Sequence, residues 1–185
     1  RKRKLKQAKK IITRMLLNNW GGISHRMMEF HEYVNLFSGK SGSGKSTVMD
    51  AIQVVLYGSM SASFLNKAAD DAKNRRSVMS YLRGEQKDGT ANRGGQDFGS
   101  TLVLEIEDTG NGITTCFGVL FEIGKADTDI NGKYTFFSHS GSMPEDEYLE
   151  EGGIPYSRGR MKKLCEARKS SPDNRGRGEV NRLYP

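Results

Sequence analysis

The sequence predicts an α/β fold built around a phosphate-binding loop, with an antiparallel β-meander flanked by helices. Two observations carry this prediction. Residues 39–47 read Gly-Lys-Ser-Gly-Ser-Gly-Lys-Ser-Thr and satisfy every fixed position of the motif G-x-x-x-x-G-K-[ST]. Residues 101–139 contain three β-prone runs separated by polar turns, the first with a clear period-two pattern. Together they indicate the P-loop NTPase class.

The glycines of the motif let the backbone curl until successive N–H groups converge on a di- or triphosphate tail. Lys45 would contact the β- and γ-phosphates as the catalytic residue, and the Ser46 hydroxyl would bind the Mg²⁺ that bridges them. The predicted binding residues are Gly39, Lys40, Ser41, Gly42, Ser43, Gly44, Lys45, Ser46 and Thr47.

The flanking segments support this assignment. A short β-prone run at 33–37 predicts a strand before the loop, and apolar residues recur at helical spacing over 48–56 before Gly58. Strands predicted at 11–20 and 26–31 would form a hairpin-like entry to the loop. Trp20 lies beside the intervening turn, where core or edge packing is commoner than stacking on an adenine ring.

The segments after the loop helix alternate between helical, loop-like and strand patterns. Residues 66–82 predict a second helix whose polar face either is solvated or turns Arg75 or Arg76 toward the nucleotide. The glycine-rich residues 84–99 predict a long mobile loop. Strands are predicted at 101–108 (with one wet face), 113–123 and 134–139, an acidic loop at 143–153 and a helix at 158–169.

The net charge of +7 is unevenly distributed. Residues 1–14 predict a basic arm that either contacts DNA or an acidic partner, or is a solvated tail. Residues 15–169 would form the P-loop lobe, and 170–185 a tail without periodic pattern. No signal-peptide or membrane-spanning pattern occurs, which predicts a soluble, cytoplasmic protein without a membrane partner. Cys116 and Cys165 are expected to be reduced structural thiols.

Parts of a complete hydrolytic site are missing. The nearest Walker B match ends at Glu122, in a strand better explained by antiparallel pairing, and no Leu-Ser-Gly-Gly signature occurs. His25, His31 and His139 lack the i,i+4 spacing of metal ligands and are expected to be structural.

Three longer strings carry a family resemblance: LLNNWGGISHRMMEFHEYVNLFSGKSGSGKSTVMDAIQVVLYG, FLNKAADDAKNRRSVMSYLRGE and SPDNRGRGEVNRLYP. They resemble the N-terminal head segment of bacterial SMC-like ATPases, in the MukB/MksB-like family and its JetC (EptC) branch from Wadjet plasmid-defence systems. The resemblance implies an ABC/SMC-type half-head, in which residues 39–47 bind ATP and Mg²⁺ and Arg75 or Arg76 lies near the phosphates. The Q-loop glutamine of such heads is unidentified, because no Gln follows Gln96.

The resemblance also implies partners. A C-terminal lobe beyond a coiled coil would supply Walker B and signature motifs, a second head would complete the ATP sites, and kleisin-like and accessory subunits would assemble on double-stranded DNA. The fragment alone is expected to hydrolyse almost no ATP.

Other functions fit parts of the sequence. A nucleotide or nucleoside kinase would need Glu122 as metal partner and 84–99 as a substrate lid. An ABC-type transporter ATPase and a DNA-binding module that acts through residues 1–14 are the remaining alternatives.

Overall fold

The described fold is an antiparallel sheet with helices on both faces. The computed structural model describes residues 7–31, 44–61, 65 and 76–168. Its strands are β1 (Lys10–Trp20), β2 (Ile23–Glu29), β3 (Phe98–Asp108), β4 (Thr114–Ile123), β5 (Tyr134–Ser140), β6 (Leu149–Glu150) and β7 (Ile154–Pro155). Its helices are α1 (Lys45–Tyr57), α2 (Val78–Arg83) and α3 (Arg158–Ala167). This confirms the predicted α/β class with an antiparallel meander.

Strands β1 to β5 pair antiparallel in the order β2-β1-β3-β4-β5, and β6 pairs with β7. The meander β3-β4-β5 has the predicted order, and the turn after β3 includes Gly112 at a φ of 71°. Strand β1 joins this meander by pairing with β3, so that Met15 lies opposite Leu104. The strand predicted at 33–37 lies outside the described residues.

Both faces of strand β3 are buried over most of its length, which corrects the expectation that residues 101–108 have one wet face. Because successive side chains of a strand point to opposite faces, Leu102 and Leu104 pack with α1 and α2, whereas Val103 packs with α3. The α3 face is covered by residues from the predicted acidic loop 143–153 and the predicted helix 158–169, together with Tyr156 between them. They are Met143, Tyr148, Tyr156, Met161, Leu164 and Cys165.

Helix α1 begins and ends at glycines in the left-handed region. Gly44 precedes it with φ 87°, and Gly58 follows it with φ 59° and donates its N–H to the Val54 carbonyl at 3.0 Å. Its buried side chains recur at helical spacing and pack on the sheet. The predicted helix over 48–56 and its end at Gly58 are confirmed.

The second predicted helix is described only in its last part. Helix α2 begins after Ser77, whose hydroxyl accepts a hydrogen bond from the Ser80 N–H at 3.1 Å, and it ends at Gly84. Residues 66–75, which include Arg75, lie outside the described residues. The helix predicted over 158–169 corresponds to α3, with Met161, Leu164 and Cys165 buried as expected.

Residues 84–99 are more ordered than a mobile loop would be, which corrects that expectation. Glu85 and Ala91 form an isolated β-bridge, and β3 already begins at Phe98. Two arginines, Arg83 and Arg93, are each only 7% exposed and hydrogen-bond to main-chain carbonyls around the loop. The glycine-rich composition of this segment predicted mobility, because composition does not show that Arg83 and Arg93 hold it in place.

The predicted boundary of the basic arm at residue 14 is also corrected. Lys10 to Arg14 belong to β1, and the Lys9 N–H donates to the Thr109 hydroxyl at 3.0 Å. The Arg14 guanidinium is paired with the buried carboxylate of Glu105 at 2.6 Å. Burial opposes ionisation of Glu105, but hydrogen bonds from Arg14, the Met143 N–H and Thr13 outweigh it and lower the Glu105 pKa.

A buried histidine links the sheet to the segment that covers its α3 face. The Nδ1–H of His139 donates to the Ser140 carbonyl at 3.0 Å, and its Nε2 lies 2.6 Å from the Tyr148 hydroxyl. Burial lowers the pKa of His139 below its ordinary value of 6.5 and so favours the neutral ring, in which Nε2 accepts the hydrogen bond from Tyr148.

Replacing Gly118 by Ala should destabilise the sheet. An added Cβ would lie 2.5 Å from Cζ of Phe137 and 2.6 Å from the Leu102 carbonyl oxygen, so the core must shift. We expect the free energy of unfolding to fall by about 1–3 kcal/mol in urea titrations. Gly22→Ala is the matched control, because nothing lies within 4 Å of its added Cβ. Equal stability of the two variants would contradict this packing.

The stability of the protein should fall as the pH drops below about 6.5. The unfolded chain then takes up a proton on His139 that the folded chain excludes, so stability is lost as the pH falls toward the lowered folded pKa. Urea midpoints between pH 7.5 and about pH 5.5 should show a slope that is smaller in His139→Asn. An unaltered slope in His139→Asn would refute the assignment.

Candidate phosphate-binding site

The N-terminus of α1 presents the described end of the motif. Its first-turn N–H groups are those that an α-helix leaves without an intrahelical acceptor, and Gly44 has no side chain to cap them. The first turn contains no acidic residue that would repel an anion. Among the described residues, nothing lies within 4 Å of the position that a Cβ on Gly44 would occupy. This end of the helix therefore fits a phosphate group.

The three motif residues that follow differ in exposure. Ser46 is exposed and Lys45 is half-buried, whereas Thr47 is only 8% exposed. At the N-terminus of the helix, Lys45 and Ser46 are thus less buried than Thr47, which packs into the protein. Gly39, Lys40, Ser41, Gly42 and Ser43 lie outside the described residues, so their part in the site stays a prediction.

The end of β1 and the turn after it pack against the first turn of α1. The Trp20 side chain is fully buried, and its indole N–H donates to the Thr47 carbonyl at 2.9 Å. Its ring stacks on Tyr81 with centroids 4.7 Å apart. Trp20 is therefore a core residue, which agrees with the interpretation that the sequence favoured over adenine stacking.

Gly21 approaches α1 more closely than a larger residue could. It has φ 57°, and an added Cβ would lie 2.8 Å from Cγ2 of Thr47. Its N–H donates to the Tyr81 carbonyl at 2.7 Å. Gly21 is thus the residue at which the β1–β2 turn contacts both α1 and α2.

Tyr81 connects α2 to the phosphate-binding helix. Its hydroxyl donates to the carboxylate of Asp50, which is buried in α1, and the Arg76 guanidinium lies 5.4 Å from the centre of its ring. Arg76 is thus near the support of α1, although contact with phosphate stays a prediction. Sequence reasoning did not identify Tyr81, Gly21 or Arg93 at this site; the Gly21-Gly22 pair after Trp20 was the available signal.

Glu122 lies on the opposite face of the sheet from α1. Its neighbours Phe121 and Ile123 pack in the cluster that includes α1, so its own side chain points toward the α3 face. It is 51% exposed, and its carboxylate is 4.0 Å from Nε of Arg158 in α3. This position agrees with the interpretation that Glu122 is not a Walker B residue.

The cysteines and the two histidines whose partners are described have structural surroundings. Cys116 and Cys165 are free and buried, and burial raises their pKa values to about 12 and about 11. His25 hydrogen-bonds to Asn18 at 2.6 Å and to Glu147 at 2.5 Å.

Within the described ranges, no group of three His, Cys, Asp or Glu side chains could hold a metal ion. Nor does any described helix have the length and apolar character to cross a membrane.

Comparison with known proteins agrees with this site. Residues 12–72 match the family described as "P-loop containing region of AAA domain", which is about a third of the 185 residues. The chain is 37% identical over 74 residues to the SbcC component of the SbcCD nuclease of Staphylococcus haemolyticus (strain JCSC1435). That alignment covers 38% of this chain and spans 6% of the relative's length.

One similar solved structure belongs to work described as "Structural biochemistry of ATP-driven dimerization and DNA stimulated activation of SMC ATPases". The similarity covers 94% of this chain and 99% of the other, with 13% identity and a TM-score of 0.43. The motif, the helix that follows it and the matched region together show that this chain contains a P-loop region, which over 74 residues is similar to part of an SbcC protein.

Proposed function

We propose that the chain is the N-terminal ATP-binding lobe of an SMC-like motor. Such a motor uses ATP binding and hydrolysis between two heads to translocate or loop-extrude DNA, in anti-plasmid defence or chromosome organisation. The observation that carries the proposal is the N-terminus of α1, where Gly44, Lys45 and Ser46 complete a phosphate-binding motif. The partial match to an SbcC protein supports it.

Within this lobe, each motif residue has a separate task. The amides of residues 39–47 would surround the β- and γ-phosphates, and the Lys45 ammonium would neutralise part of their charge. Bound Mg²⁺ would reduce the repulsion between the phosphates, and the Ser46 hydroxyl would hold it. Thr47 would anchor the helix through its buried contacts with Trp20 and Gly21.

Hydrolysis requires a metal-binding carboxylate, and the sequence's nearest Walker B match, Glu122, does not supply one to α1. Glu122 instead faces α3. We therefore assign the Walker B and signature motifs to a C-terminal lobe and a second head, with kleisin-like and accessory subunits completing the assembly. The same position of Glu122 disfavours the kinase alternative, which needs that carboxylate as its metal partner.

The proposed nucleic-acid partner is double-stranded DNA in the cytoplasm. Support comes from eight Lys or Arg residues among residues 1–14 with no acid. Of these, Lys10 and Arg14 lie in β1, and Arg14 is paired with Glu105. The proposed DNA contact is therefore limited to the basic residues before β1.

Lys45→Ala should weaken Mg-ATP binding by about tenfold or more, because a charge-assisted contact to the phosphates is lost. Isothermal titration of the intact protein with Mg-ATP checks this. Lys163→Ala, on the exposed face of α3, is the matched control and should bind as the unaltered protein does. Unchanged affinity in Lys45→Ala would reject the site.

Glu122→Gln should leave Mg-ATP affinity and any ATPase rate unchanged, because its carboxylate lies on the α3 face. Hydrolysis should instead require the C-terminal lobe and vanish when that lobe's Walker B carboxylate is replaced. Steady-state phosphate release with and without the added lobe measures both. Turnover by this chain alone that is lost in Glu122→Gln would favour the kinase alternative.

A further inference from the structure

Arg93 makes an unusual set of buried hydrogen bonds. Its Nε–H donates to the Leu82 carbonyl at 2.6 Å, and its Nη2 donates to the carbonyls of Gly21 at 2.6 Å and Tyr81 at 3.2 Å. These acceptors belong to two segments that are far apart in the chain. One guanidinium therefore ties the β1–β2 turn to the C-terminal end of α2.

The acceptors suit a buried cation that has no carboxylate beside it. The carbonyls of Tyr81 and Leu82 lie in the last turn of α2, where a helix presents partial negative charge. Burial alone lowers the pKa of Arg93, to about 10, which leaves the group charged at neutral pH. The guanidinium fork matches acceptors in two directions, which a lysine ammonium on its single stem does not reproduce.

The tied turn is the one that supports the phosphate-binding helix. Gly21, whose carbonyl Arg93 binds, lies against Cγ2 of Thr47, and Trp20 beside it donates to the Thr47 carbonyl. Gly84 also lies close to both partners: an added Cβ there would be 2.8 Å from the Gly21 carbonyl oxygen and 3.0 Å from Nη2 of Arg93. If the guanidinium moved, Gly21 and Trp20 would move with it, and both contact Thr47 in the first turn of α1.

We infer that Arg93 is a positioning residue for the nucleotide site, which it serves without contacting the ligand by holding the β1–β2 turn against Thr47. The inference rests on the proposed function, because it concerns the alignment of the helix that would bind phosphate. The inference also assigns a role to the glycine-rich segment 84–99, which brings Arg93 to the β1–β2 turn.

The chain offers a matched control in Arg83. It has the same 7% exposure, and both guanidinium groups lie over the Phe98 ring, at 5.4 and 5.7 Å from its centre. Arg83 also donates only to main-chain carbonyls, but these belong to Arg93, Gln96, Gly124, Lys125 and Asp127. None of them lies in the β1–β2 turn.

The test compares Arg93→Lys with Arg83→Lys in the intact protein. Both should lower the thermal midpoint, because each loses a buried fork of hydrogen bonds. Only Arg93→Lys should weaken Mg-ATP binding, by about tenfold, since a hydrogen bond to a charged group is lost from the support of α1. Equal affinity losses in the two variants, or none in Arg93→Lys, would overturn the inference.

Fluorescence of Trp20 gives a second readout, because it is the chain's only tryptophan and is bonded to Thr47. Its emission should change when Mg-ATP binds, and Arg93→Lys should reduce that change while Arg83→Lys preserves it. Gly21→Ala, which forces the turn away from Thr47, should reproduce the Arg93→Lys result. If the unaltered protein bound no Mg-ATP, the proposed function itself would fail; binding that is insensitive to Arg93→Lys would reject the inference alone.

Discussion

The hydrogen bond from the Trp20 indole to the Thr47 carbonyl fixes where the phosphate-binding helix lies on the sheet. A buried indole N–H needs an acceptor, and a carbonyl in the first turn of α1 supplies it. Because Trp20 ends β1 and stacks on Tyr81 of α2, this one contact joins strand, turn and two helices. The N-terminus of α1 is thereby held in place by packed core residues, which a loop rich in glycine could not do by itself.

The two faces of the sheet have different roles. One packs against α1 and supports the phosphate-binding site, and the other packs against α3 and contributes to the stability of the fold. On the α1 face, the described polar contacts concern mainly the helix N-terminus and its support. On the α3 face, Glu105 is buried and accepts hydrogen bonds from Arg14 and the Met143 N–H, and His139 is buried beside the Tyr148 hydroxyl. Such groups cost desolvation and are tolerated because each is hydrogen-bonded. The charged pair therefore lies away from the surface that would receive an anion.

Sequence alone could predict the parts whose signals are local. The motif placed Lys45 and Ser46 at the start of a helix, Gly58 marked its end, and strict alternation marked β3. Long-range features left no such signal. Part of the cover on the second face comes from Met143 and Tyr148 in a segment predicted to be an acidic loop, and the anchoring of residues 84–99 depends on two arginines. An arginine that binds backbone carbonyls is not distinguishable in sequence from one in solvent.

The pairing of β1 with β3 has a consequence for the order in which the protein can be built during translation. The neighbours of β1 in the sheet are β2, which follows immediately, and β3, which begins only at Phe98. Helix α1 is complete by Tyr57, but the surface on which it packs includes β3 and β4 residues up to Ile123. A nascent chain thus carries its phosphate-binding helix well before the platform for it exists, and closing that long loop is the slow step expected for non-local strand pairing.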